Sequence, residues 1–336
     1  MTPTPSRDPN PEIVEDVLEL PSPWPMHHGG SLERARIAYR IEGPPDAPVV
    51  AAIGGISGHR VVCAGESGAW WSALVGDGLG ADRRRYRILG IDYLGGSGES
   101  SAPAPGAPFP SVSAYDQADA IAAILNARGL RALHAILGAS YGGQVALAFA
   151  ARHPDRVGRL VVVSAADRTQ PLATARRCVQ RQIVREALAR GDGPAGLKLA
   201  RALAMTTYRS AREFEERFGG PPTFEHGRFV FPVERYLFAR GDDYVRRYRA
   251  ESFLALSESI DLFRIDPATV RVPATLIAVH EDQLVPIADL RALAARLGGP
   301  CRLVAVNSLY GHDAFLKESE MLNPIVAAAL ADGVAT

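Results

Sequence analysis

Ser140 stands in Gly138-Ala139-Ser140-Tyr141-Gly142-Gly143, a G-x-S-x-G pattern. An apolar run, Leu133 to Leu137, precedes it, and an alanine-rich helical stretch, Tyr141 to His153, follows. In such a strand–turn–helix setting the serine is forced onto a sharp turn with its oxygen exposed. A serine hydroxyl is a weak nucleophile at neutral pH. It needs a base, and the base needs an orienting carboxylate. Asp282, in His280-Glu281-Asp282-Gln283-Leu284-Val285-Pro286, and His312, in Tyr310-Gly311-His312-Asp313-Ala314-Phe315, offer both. Each follows a predicted strand, and the order serine, acid, histidine suits this type of turn. The chemistry of such a set is acyl transfer through an acyl-serine.

Competing residues are close by. Glu281 is an alternative acid, and His280 falls at a strand end. His134 sits in an apolar run and reads as a packed residue. His27-His28 lacks a carboxylate or third histidine nearby, so no metal site is expected. For the oxyanion, the N–H of Tyr141 lies at a helix N-terminus. A second donor is expected from Gly54-Gly55-Ile56-Ser57-Gly58, with the N–H of Ile56 as the candidate. These glycines serve equally well as a plain tight turn.

The elements that must position these groups alternate. Strands are predicted at Arg34 to Ile41, Val49 to Ile53, Tyr86 to Asp92, Leu133 to Leu137, Arg159 to Ser164, Ala274 to Val279 and Cys301 to Val306. Helices are predicted at Ser113 to Gly129, Tyr141 to His153, Ile287 to Leu297 and Ala314 to Leu330. This alternation implies a mostly parallel sheet with helices on both faces. Between 167 and 265 the pattern turns helical and arginine-rich, which reads as a lid inserted into the α/β core of 21–166 and 266–336. Residues 1–20 read as a disordered leader, because proline and charge oppose a packed element.

The chain has 336 residues, 37 basic and 37 acidic side chains and no net charge. That balance favours neither nucleic acid nor an anionic membrane as partner. Three widely spaced cysteines, with no apolar N-terminal signal, suit a reducing cytoplasm. No apolar run reaches membrane-spanning length.

Several segments resemble the homoserine O-acyltransferases of the MetX type, which have the α/β-hydrolase fold. They are Thr207-Tyr208-Arg209-Ser210, Phe214-Glu215-Glu216-Arg217-Phe218-Gly219, Val233-Glu234-Arg235-Tyr236-Leu237, Gly241 to Tyr248, and Gly311-His312-Asp313-Ala314-Phe315-Leu316. The resemblance runs from about Leu20 to Leu330. It implies a ping-pong transfer from an acyl-CoA, as co-substrate rather than cofactor, to the hydroxyl of L-homoserine. It also implies that Arg209 holds the amino acid carboxylate, Asp313 the ammonium group, and Tyr236 a further contact. A homodimer paired through lid helices is implied too. Gly54-Gly55-Ile56-Ser57 replaces the family's common His-Ala-Leu-Thr and resembles its succinyl-using branch.

Succinyl carries a distal carboxylate, which requires a cation once desolvated. Arg60, next to the proposed oxyanion loop, is the expected partner, and succinyl-CoA the expected donor. Acetyl-CoA as donor, serine as acceptor, and an esterase-like hydrolase are the alternatives. A hydrolase has no use for an amino-acid-binding arginine in its lid.

Overall fold

The computed structural model describes residues 11–331. Its centre is an eight-stranded sheet. The strands are β1 (Glu12–Glu19), β4 (Arg36–Gly43), β5 (Val49–Ile53), β6 (Arg87–Ile91), β7 (Ala135–Ala139), β8 (Leu160–Val163), β11 (Ala274–Val279) and β12 (Cys301–Val306). Their order is β1-β4-β6-β5-β7-β8-β11-β12. The pairs β1–β4 and β4–β6 are antiparallel, and every pair from β6 to β12 is parallel. A short ladder, β2 (Trp24–Pro25) with β3 (Ser31–Leu32), lies outside it.

The strand sequences explain the layering. β5, β7 and β8 are uninterrupted apolar runs and are buried throughout, as strands covered on both faces must be. Alternate residues feed two cores. Val49, Ala51 and Ile53 pack with α1 (Ala114–Ala127) and α2 (Tyr141–Arg152). Val50 and Ala52 pack with Trp71 and with Leu322 and Val326 of α10 (Ser319–Ala331). Ser113 starts α1 through a reciprocal capping box with Asp116, satisfying two backbone donors at the helix start. The predicted C-terminal helix is split at Glu318, into α9 (Ala314–Lys317) and α10.

One expectation is corrected. The leader assigned to 1–20 is an edge strand over Glu12–Glu19. Its acidic side chains do not prevent pairing, because they stand at the sheet edge and meet arginines. Asp16 pairs with Arg128, and Glu15 with Arg40. Exposed charge of this kind also discourages a second sheet from adding to the edge. Residues 1–10 of that leader lie outside the described part.

Between β8 and β11 the chain leaves the sheet. It forms α3 (Pro171–Ala189), α4 (Gly193–Tyr208) and α5 (Ala211–Phe218), then a hairpin of β9 (Thr223–Glu225) and β10 (Arg228–Val230). Next come α6 (Pro232–Val245) and α7 (Ala250–Leu262). The excursion closes where the N–H of Ile265 donates to Asp167 O at 3.0 Å. α8 (Ile287–Arg296) then links β11 to β12.

Candidate active site

The turn between β7 and α2 is built by glycine. Ser140 itself has φ 55° and ψ −122°, a conformation that side chains other than glycine rarely adopt. Its N–H is fixed by Val163 O on the neighbouring strand, at 2.9 Å. A Cβ on Gly138 would lie 2.3 Å from Gly142 O, and one on Gly142 would lie 2.1 Å from Ile53 O. Only hydrogen fits at either place. The strained serine is held by packing around it, as strained functional residues are.

Three side chains from distant loops meet there. His312 Nε2 lies 2.8 Å from Ser140 Oγ, and His312 Nδ1 lies 2.7 Å from Asp282 Oδ2. The other Asp282 oxygen accepts the N–H groups of Leu284 and Val285, at 2.8 and 3.0 Å. Those two bonds fix the carboxylate plane toward the imidazole. Burial by itself would lower the His312 pKa, but the charge and hydrogen bond of Asp282 outweigh it and hold it above the ordinary 6.5. Glu281 instead accepts the N–H of Ser308 at 2.7 Å. His280 is exposed, and His134 bonds Leu330 O and stacks on Tyr86.

The loop after β5 is anchored through Gly54. Its carbonyl accepts Tyr93 Oη at 2.6 Å and the Gly142 N–H at 2.8 Å. Among the described residues the N–H groups of Ile56 and Tyr141 have no hydrogen-bond acceptor. Two free backbone donors on the loops flanking Ser140 suit a developing oxyanion.

The segment Tyr208-Arg209-Ser210 is stitched to both the acid loop and the histidine loop. Gln283 donates to Arg209 O at 3.0 Å, and the Ser210 N–H donates to Leu309 O at 3.2 Å. Tyr208 stacks on His312 with ring centroids 6.0 Å apart. Arg209 is 8% exposed, with Nε 3.0 Å from Asp313 and Nη1 2.8 Å from Glu213. Asp313 makes no capping bond at the start of α9, so its carboxylate is spent on Arg209 instead. Tyr236 of α6 lines the same cavity, of about 670 Å³, as Arg209 and Asp313.

Arg60 lies elsewhere. Its Nε meets Glu15 at 2.8 Å, its Nη2 meets Glu99 at 2.9 Å, and its Nη1 bonds Asp92. The expected pairing with an acyl carboxylate is therefore corrected. Three acids, Glu15 of β1 and Asp92 and Glu99 of the loop after β6, already occupy that guanidinium. The cations that do line the cavity holding Ser140 and His312 are Arg168 and Arg177. Both were passed over in the sequence, since Arg177 is brought there by the packing of α3 against α7 and Arg168 by its bridge to the distant Arg264.

A family profile described as alpha/beta hydrolase fold matches residues 53–319. A homoserine O-succinyltransferase of Xanthomonas campestris pv. campestris is 45% identical over 316 residues, covering 93% of this chain and 83% of that protein. A serine O-succinyltransferase of Litchfieldella anticariensis is 32% identical over 94% of this chain and 97% of its own length. In three dimensions, a homoserine O-acetyltransferase of Bacillus anthracis superimposes with a TM-score of 0.86 at 17% identity, covering 98% of this chain and 100% of that one. That likeness speaks for the fold, while the sequence matches reach further. With a half-buried serine joined to a buried histidine and aspartate, and a helical excursion tied to them, the chain belongs to the homoserine O-acyltransferase family of the α/β-hydrolase fold.

Proposed function

We propose that the protein is a homoserine O-succinyltransferase of methionine biosynthesis, working through a Ser140 acyl-enzyme. In the first half-reaction Ser140 Oγ attacks the thioester carbonyl of succinyl-CoA while His312 Nε2 takes the hydroxyl proton. The N–H groups of Ile56 and Tyr141 stabilise the tetrahedral oxyanion. The C–S bond then breaks and CoA leaves as the thiol, carrying the proton from His312. In the second half-reaction the hydroxyl of L-homoserine gives its proton to His312 and attacks the acyl carbon. Ser140 leaves, regaining the proton, and O-succinyl-L-homoserine departs. Asp282 stabilises the imidazolium in both halves.

The observation that carries a transferase over a hydrolase is the place of Asp313 and Arg209. Asp313 directly follows His312, and Arg209 is bonded to it. An acid and a fork-shaped cation, side by side, match the ammonium and carboxylate of an amino acid. Residues 167–265 act, in this reading, as the lid that presents Arg209 and Tyr236. The 45% identical relative carries the same activity in its name.

For the acyl group, Arg177 and Arg168 take the part first assigned to Arg60. Arg177 and Arg181 share the one carboxylate of Asp261, at 2.6 Å each, so this pair of arginines outnumbers its acid. Asp289 is the opposing acid in the cavity wall. Gln144 Oε1 and Ser164 Oγ, on the same wall, are buried without hydrogen-bond partners among the described residues. A surplus cation with spare polar groups suits a distal carboxylate better than an acetyl methyl.

Three free cysteines, one of them exposed, accord with a cytoplasmic setting, and the exposed Phe224 and Phe229 with a homodimer. A donor and acceptor panel tests the reaction. Thiol release from succinyl-CoA should depend on homoserine and exceed that from acetyl-CoA. Equal release with and without an amino acid points to a hydrolase, and a preference for acetyl-CoA refutes the succinyl reading.

A further inference from the structure

Gly55-Ile56-Ser57-Gly58 close a turn, with the Gly58 N–H donating to Gly55 O at 2.7 Å. Ile56, whose N–H is the proposed oxyanion donor, stands second in that turn. The core of the molecule grips the chain just before it. Gly54 O accepts the Tyr93 hydroxyl at 2.6 Å and the Gly142 N–H at 2.8 Å. Gly55 follows, and a Cβ there would meet nothing within 4 Å. An uncrowded glycine leaves the backbone free to turn unless the chain beyond it is also held.

The hold beyond it comes from the helical excursion. Tyr248, at the corner between α6 and α7, donates its hydroxyl to Ser57 O at 2.6 Å. The Ser57 hydroxyl reaches Tyr244 Oη at 3.3 Å, which is long for a bond between hydroxyls. The two tyrosine rings stack, with centroids 4.2 Å apart. Ile56 itself packs against the apolar cluster of the excursion, which contains Val184, Leu197 and Tyr244. Burial raises the pKa of the Tyr248 hydroxyl above its ordinary 10, so it remains a donor at neutral pH.

We infer that Tyr248 is a positioning residue for the oxyanion turn: it holds the Ser57 carbonyl from the helical excursion and so aims the Ile56 N–H at the tetrahedral intermediate. The inference rests on the proposed roles of Ser140 and Ile56, and not on which acyl group or acceptor is used. Without the tyrosine hydroxyl, the turn is anchored at Gly54 alone and can swing about Gly55. The carbonyl of a bound ester needs the donor little, whereas the oxyanion formed from it needs the donor fully. Loss of aim is therefore felt in the bond-making step rather than in binding. Both half-reactions pass through such an oxyanion, so both should slow together.

The test uses Tyr248→Phe, which keeps the ring and its stack on Tyr244 and removes only the hydroxyl. Acylation of Ser140 is followed as the burst of p-nitrophenol from p-nitrophenyl acetate, a reaction that needs the oxyanion hole but neither CoA nor an amino acid. The burst rate at saturating ester should fall by about 10- to 100-fold, short of the roughly 10²- to 10³-fold cost of removing an oxyanion donor outright. The burst amplitude counts competent sites, so a partly unfolded preparation does not pass for a slow step. With succinyl-CoA and homoserine, kcat should fall likewise while both KM values stay within about twofold of wild type. An unchanged burst rate overturns the inference. So does a fall in kcat/KM carried by KM alone, which is the pattern of a residue that only supports the fold. A wild-type burst without homoserine-dependent thiol release would sink the proposed transfer and leave the Tyr248 comparison standing, so the two failures are distinguishable. A wild type with no burst would overturn both.

Discussion

His312 feels two opposing influences. Burial disfavours its charged form, while Asp282, 2.7 Å from Nδ1, favours it and prevails. General-base chemistry needs the neutral imidazole, so the acid limb of kcat/KM should lie above pH 6.5. In Asp282→Asn the burial effect remains and the charge is gone. Its limb should move below that of wild type, with kcat down by about 10³- to 10⁴-fold. An unshifted limb would remove Asp282 as the partner. The sign for stability is the reverse of the usual carboxylate case. The pKa is raised on folding, so the stabilisation is complete below 6.5 and fades as pH climbs through the folded value. At the other wall, Arg177→Met should lower kcat/KM for succinyl-CoA by about 10- to 100-fold, and that for acetyl-CoA far less. Comparable losses with both donors would mean that Arg177 only supports the lid.

At the scale of elements, the β7–α2 turn depends on the absence of side chains. A methyl group on Gly142 would lie 2.1 Å from a strand carbonyl, and neither backbone can yield. Gly142→Ala should therefore destabilise the fold by about 2–3 kcal/mol, read from denaturant midpoints, and abolish acylation. A stable, active alanine variant would show that the elbow is less tightly determined than these contacts require. The same turn shows why much of the site was legible in sequence. Gly138 to Gly143 is a local motif, and β5, β11 and β12 were placed to the residue by mostly apolar runs. The acid and histidine were legible because each follows such a strand. Arg60 was misread because its three acids come from β1 and from the loop after β6, both remote from it in sequence. β1 itself was missed because its faces are exposed or half-buried and show no apolar alternation.

For the whole molecule, the uneven distribution of apolar surface matters most. Apart from Ile13 at its edge, the sheet buries its large apolar side chains, whereas the β9–β10 hairpin leaves Phe224 and Phe229 66% and 60% exposed, with Phe231 beside them. The two rings pack edge to face on one another rather than into the core. A contiguous exposed aromatic face marks an association surface. The hairpin directly precedes α6, which carries Tyr236 into the cavity of Arg209 and Asp313. Pairing there would brace the lid of each protomer against that of the other. We therefore expect a dimer by sedimentation at micromolar concentration, and a monomer for the double substitution Phe224→Lys, Phe229→Lys. Because the substituted residues are exposed, the monomer should stay folded. Its KM for homoserine should nonetheless rise, since an unbraced α6 presents Tyr236 less firmly. A monomeric wild type would refute the pairing. A dimer that survives both lysines would move the contact to another face of the lid and leave the hairpin to explain.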